Sequence, residues 1–137
     1  MITIDPTKEL LRQPVIPADE YDGTDSLTGI DISHYAGNVA VNINHSATAT
    51  GTVTIKIQES DAKASGYSDI DGKSYVIDGA AGLAAIKIDP RATKRYIRAT
   101  VTAADSGAAE VAADAIGSPK YQNTAESIPE EEAEEGS

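Results

Sequence analysis

Apolar and polar residues alternate with a period of two through the middle of the chain. Val39, Val41 and Ile43 alternate with Ala40, Asn42 and Asn44. Val53, Ile55 and Ile57 alternate with Thr52, Thr54, Lys56 and Gln58, and Ile97, Ala99 and Val101 with Arg98, Thr100 and Thr102. Side chains on a strand point to opposite faces in turn, so each run predicts a half-buried strand with one apolar and one polar face. Weaker candidates are Gly29–Ser33, Ser74–Ile77, Leu83–Ile88 and the Ala-rich Ala108–Ala115. Alanine favours helix, but this last run is short and follows Gly107, so it is read as a strand. Gly23, Gly37-Asn38, Gly51, Gly66, Asp71-Gly72, Asp78-Gly79, Asp89-Pro90 and Asp105-Ser106-Gly107 supply turns, the Asp-Gly pair at 71–72 as a hairpin. Seven or eight short strands divided in this way predict an all-β fold, an antiparallel β-sandwich of jelly-roll or immunoglobulin-like kind, over residues 22–116.

The two ends break the pattern differently. In residues 1–21, Pro6, Pro14 and Pro17 interrupt Ile2, Ile4, Leu10, Leu11, Val15 and Ile16. Proline removes a backbone donor and pushes its predecessor toward extended geometry. An extended N-terminal arm is therefore expected, with one helical turn at most around Thr7–Arg12. Its six apolar side chains need cover, either from the chain's own sandwich or from a neighbouring subunit. Residues 117–137 hold six acids, one base and almost nothing apolar. Such a segment cannot bury enough surface to offset the entropy of ordering, and it reads as a disordered acidic tail.

Composition narrows the function. The 137 residues carry 22 acids against 11 bases, a net charge of -11, which repels phosphate backbones and argues against a nucleic-acid partner. No apolar run approaches the length of a membrane span, and the first residues lack the basic and apolar regions of a secretory signal. Without cysteine there is neither a disulfide framework nor a thiolate metal site. Tyrosine is the only aromatic residue, so a small core must be filled by Ile, Val, Ala and Tyr.

Candidate chemistry is sparse. His34 and His45 both sit where a strand runs into a turn, but no serine is marked as a nucleophile by a G-x-S-x-G elbow or an equivalent. Asp69-Ile70-Asp71-Gly72 starts like a calcium loop, yet the sixth and twelfth positions are Ser74 and Ala80, where that loop requires Gly and Glu. Six dispersed tyrosines give no platform for stacking on sugar rings. The chain reads as no enzyme, and no cofactor is implied. One basic cluster stands out in an acidic protein: Arg91, Lys94, Arg95 and Arg98. It either pairs with the chain's own carboxylates or docks an acidic surface on another subunit.

Two stretches are more specific than composition. Residues 52–61 read TVTIKIQESD, followed by Tyr67-Ser-Asp-Ile70, and residues 94–102 read KRYIRATVT. This arrangement resembles a small family of tailed-bacteriophage capsid decoration, or cement, proteins, over roughly residues 38–103. The resemblance implies a β-sandwich or jelly-roll structural virion protein on the outer surface of the head, made in the host bacterial cytoplasm. It would bridge subunits of the major capsid protein as a dimer or trimer and would have no catalytic residues. The arm's apolar residues and the basic cluster are then the candidate partner interface. A tail or baseplate component of the same fold is one alternative, and a bacterial carbohydrate-binding or adhesion module another.

The composition of the tail yields a first prediction. Deleting Ser127–Ser137 is expected to leave thermal stability almost unchanged. A loss above about 1 kcal/mol would show that the tail packs on the fold.

Overall fold

The computed structural model describes residues 10–119. It is all-β, with nine antiparallel strands in two sheets. The strands are β1 (Leu11–Tyr21), β2 (Thr24–Ser26), β3 (Ile30–Asp31), β4 (Val39–His45), β5 (Thr52–Ser60), β6 (Ser68–Ile77), β7 (Gly82–Ile88), β8 (Tyr96–Ala104) and β9 (Ala109–Gly117). One sheet has the order β1-β9-β4-β7. The other has the order β2-β8-β5-β6, with β3 also on β8. Taken as two pieces of one strand, β2 and β3 complete a set of nested antiparallel pairs. The first strand lies on the last, the second on the penultimate, β4 on β7 and β5 on β6. A long hairpin folded over on itself in this manner is a jelly roll.

The alternating runs fall where expected, with their apolar faces inward. Val39, Val41 and Ile43 of β4, Val53, Ile55 and Ile57 of β5, and Ile97, Ala99 and Val101 of β8 are all buried. From β9, Ala109, Val111, Ala113 and Ala115 join them, so the Ala-rich run is a strand. Alanine's helical preference gives way because β9 lies between β1 and β4, where both sides of its backbone are hydrogen-bonded. The small Ala side chains also let the two sheets approach closely above it. Tyr21 and Tyr35 are the largest side chains in a core otherwise made of Ile, Val and Ala.

The arm expected over residues 1–21 requires correction. Leu11–Tyr21 is a strand, and Val15 and Ile16 are each only 1% exposed within the chain's own core. Leu11 packs partly buried against that core, and Leu10 is 44% exposed. Of the helical turn expected around Thr7–Arg12, Leu11 and Arg12 are extended. The prolines do not prevent the strand because β1 is an edge, where a missing N–H breaks no ladder on the open side. The register also shifts between Pro14 and Ile16 and again between Ile16 and Asp19. A bulge puts consecutive residues on the same side, which is how the neighbours Val15 and Ile16 both turn inward. The sandwich therefore spans Leu11–Gly117 rather than 22–116. Ile2 and Ile4 lie outside the described residues, as does the tail from Lys120 onward.

The ends of the sheet are locked by Tyr35. Its hydroxyl lies 3.3 Å from both the Gln13 Oε1 and the Ala115 carbonyl, tying β1 to β9. Burial pushes the phenol up to about 12. The ring lies against Gly117, where a Cβ would come within 2.7 Å of it. A backbone bridge from Tyr35 to Pro119 extends the same contact.

Asp71-Gly72 is not a hairpin turn. Lys56 pairs with Ser74 and Gln58 with Asp69, so residues 70–73 form an outward bulge opposite Ile57 inside β6. Gly72 occupies φ 77°, the left-handed conformation that suits glycine. The hairpin itself closes at 61–67. A turn signal read from dipeptide chemistry does not separate a loop from a bulge, because both require positive φ.

The burial pattern of β5 sets a stability test. Ile55→Ala should cost about 2–5 kcal/mol, and Lys56→Ala should stay within about 0.5 kcal/mol. Both are measured by denaturant unfolding, and the reverse order would contradict the register.

Candidate functional site

The basic cluster is largely paired within the chain. Arg95 donates from Nε and from a terminal nitrogen to the same Asp31 oxygen, at 3.2 and 2.9 Å, and His34 lies 3.7 Å from that oxygen. Arg91 Nε reaches Asp89 at 3.2 Å. Lys94 donates its backbone N–H to Glu59 and holds its ammonium 4.0 Å from Asp61. Arg98 donates to the Gln58 Oε1 at 2.8 Å, and its guanidinium stacks 4.3 Å over the Tyr67 ring. Of the two readings open from sequence, internal pairing describes these side chains. Arg91, Lys94 and Arg95 face carboxylates on the β7–β8 turn, on the β5–β6 turn and on β3, whereas Arg98 faces the Gln58 amide and the Tyr67 ring.

Asp31 shows the strength of this pairing. Burial on its own would raise its pKa. The Arg95 hydrogen bonds, the Ser33 N–H and hydroxyl, and the Arg95 charge outweigh that and hold it at about 2. Arg95 rises correspondingly. A carboxylate with a depressed folded pKa stabilises the fold above its unfolded pKa, and loses that contribution as pH falls through the folded value.

Both histidines have partners within the chain. His45 is buried, with Nδ1 2.9 Å from the Ser46 carbonyl and Nε2 2.9 Å from the Tyr75 hydroxyl. The carbonyl can only accept, so Nδ1 carries the proton and Nε2 accepts from Tyr75. Asp69, from the incomplete calcium motif, accepts from Gln58 at 2.8 Å and lies 3.7 Å from Lys56. Among the described residues no three His, Cys, Asp or Glu side chains gather to hold a metal ion, and no helix is long and apolar enough to cross a membrane.

The described tyrosines do not form a platform. Tyr21 and Tyr35 are core residues. The other three described are each engaged: Tyr75 with His45, Tyr67 under Arg98, and Tyr96 with the Arg95 guanidinium 5.2 Å from its ring centre.

What distinguishes this surface is a contrast between the outer faces of the two sheets. The outer face of β2-β8-β5-β6 is mainly polar, with Thr24, Thr102 and Thr54 in one row, ending at the exposed Val76 of β6, and Ser26, Thr100 and Lys56 in the next. The outer face of the other sheet mixes small apolar residues with asparagine and an aspartate. Register places Ile116 beside Ala40, and Ala112 beside Asn44 and then Leu83. Ala85 adjoins Asn42 one row over. A shallow depression runs across Leu83, Ala85, Ala112, the two asparagines and Asp114. Leu83 is 79% exposed. Asp114 of the interior strand β9 lies beside Asn42 and pairs with Arg12 of β1, and Lys87 stands at the far edge.

Sequence reasoning missed this face. The signal was present as Leu83 and Ala85 alternating with Ala84 and Ile86. Both parities are apolar there, so the run gives no sign of which side meets water.

No family model matches the chain, and no curated protein matches it. Among solved structures, the crystal structure of PirA is similar at a TM-score of 0.40 and 18% identity, over 80% of this chain and 93% of that one. At that TM-score the likeness carries no argument about topology or function.

The Asp31–Arg95 pair can be tested directly. In Arg95→Gln the Asp31 pKa should rise from about 2 toward the ordinary carboxylate range. The variant should also lose stability relative to the native protein near neutral pH, with the difference closing as pH falls below the range where Asp31 titrates. Carbonyl-detected NMR titration reads the pKa. An unchanged value would show that Arg95 does not hold the carboxylate.

Proposed function

We propose that this protein is a structural virion component that decorates the outer surface of a bacteriophage head and bridges subunits of the major capsid protein. The observation that carries the reading is the small-residue outer face of the β1-β9-β4-β7 sheet, which no described element covers. Leu83, 79% exposed, and the small residues around it are surface that a partner could cover. Alanine and asparagine surround Asp114 at its centre and keep the face shallow, which suits docking on another protein's surface. The resemblance to capsid cement proteins supports the same role, since its TVTIKIQESD and KRYIRATVT stretches form the paired central strands β5 and β8.

The mechanism is binding. Each copy covers its apolar face on the shell, and repetition of that contact over many capsid subunits adds avidity without new chemistry. Assembly would take place in the bacterial cytoplasm, on the outside of the head, without nucleic acid, membrane or cofactor. A tail or baseplate component would use the same face. A carbohydrate-binding module is less well supported, because each described tyrosine is buried or engaged.

Co-sedimentation with undecorated heads tests the proposal. The native protein should pellet with the heads. Leu83→Asp combined with Ala112→Glu should weaken binding by about tenfold or more, equivalent to about 1.4 kcal/mol. Thr102→Glu on the opposite polar face should bind as the native protein does. Equal loss from both faces, or from neither, would overturn the reading.

A further inference from the structure

The four sheet edges are not equally protected. Edge strands are blunted by proline, bulges or shortness because a free row of N–H and C=O groups templates pairing with another strand. β1 has Pro14, Pro17 and two register shifts. β2 and β3 are three and two residues long. β6 is broken by its bulge at 70–73. β7 has none of these devices. It pairs with β4 in unbroken register from Gly82 to Ile88, contains no proline, and its only charge is Lys87. Beside it the sandwich is incompletely closed, since Ala84 of β7 and Ile70 and Tyr75 of β6 pack against the core yet remain partly exposed.

We propose that the β7 edge accepts residues Met1–Asp5 of a second copy of this chain as an added strand. Strand addition of this kind draws affinity from main-chain hydrogen bonds and specificity from alternate side chains. Met-Ile-Thr-Ile-Asp has the required alternation. Ile2 and Ile4 fall on one face of an extended segment, where they would cover Ala84 and Ile86. Asp5 brings an acid to the one edge strand whose charge is positive. Chain length selects the second copy over the chain's own N-terminus. β1 and a strand added beyond β7 lie four positions apart in the sheet, about 19 Å at the usual strand spacing. The five steps from Asp5 to Leu10 span at most about 18 Å fully extended, before any detour around the sheet.

This inference goes beyond capsid decoration, and its test contains no capsid. The native sequence has no cysteine, so introduced thiols report unambiguously. Chains carrying Ile2→Cys or Ile4→Cys are mixed with chains carrying Ala84→Cys or Ile86→Cys under mild oxidation, the four pairings allowing for register. At least one mixture should give a disulfide-linked pair of unlike chains. Sedimentation should show the native protein heavier than one chain, and deletion of Met1–Asp5 should return it to monomer with an unchanged circular dichroism spectrum. Any of four results would overturn the proposal: no cross-link in any mixture, an Ala84→Cys chain that cross-links mainly to itself, a native protein that is monomeric at tens of micromolar, or a deletion that leaves the mass unchanged.

Discussion

Pairing of the first strand with the last is the contact on which the rest of the molecule depends. β1 lies along β9, closes one side of the sandwich with Val15, Ile16 and Tyr21, and is fastened by the Tyr35 hydroxyl between Gln13 and Ala115. In a nested hairpin every other pair sits inside this one, so the outermost closure keeps water out of the whole interior. That matters more here than in most sandwiches. With no Phe or Trp, the core consists of many small aliphatic contacts, each individually weak, and removing one wall would expose them together.

The same architecture leaves the two lateral sides unlike each other. On the β1 side the edge is proline-bearing, bulged and sealed by its own side chains. On the β7 side the edge is regular and the interior residues Ala84 and Tyr75 remain partly exposed. The outer faces differ as well, with threonine rows on one sheet and alanine, asparagine and leucine on the other. An asymmetric sandwich of this kind fits a protein that turns one face to a partner and the other to solvent.

Electrostatics in the folded part serve structure first. Arg95 with Asp31 ties β3 to the start of β8, and Lys94 with Glu59 and Asp61 ties the β7–β8 connection to the end of β5. Surface pairs of this type contribute little each. Asp31 is the exception, being mostly shielded and multiply hydrogen-bonded.

The sequence alone determined the all-β class and the inward faces of β4, β5 and β8, because strict alternation leaves only one way to bury Val39, Ile55 and Ile97 and their partners. It also marked β9, whose alanines were ambiguous by propensity but bounded by a turn. Strand order was not legible, since pairing β1 with β9 joins residues about a hundred positions apart and no local pattern encodes that contact. For the same reason Val15 and Ile16 looked like parts of an arm: proline reads as a breaker until the strand that holds it is known to be an edge. Asp71-Gly72 reads as a turn until its neighbours Asp69 and Ser74 are seen paired to the same strand. The apolar outer face arises in the same way, from Leu83, Ala85, Ala112 and Ile116, residues scattered over two segments. They become one surface only when β4 is inserted between β7 and β9.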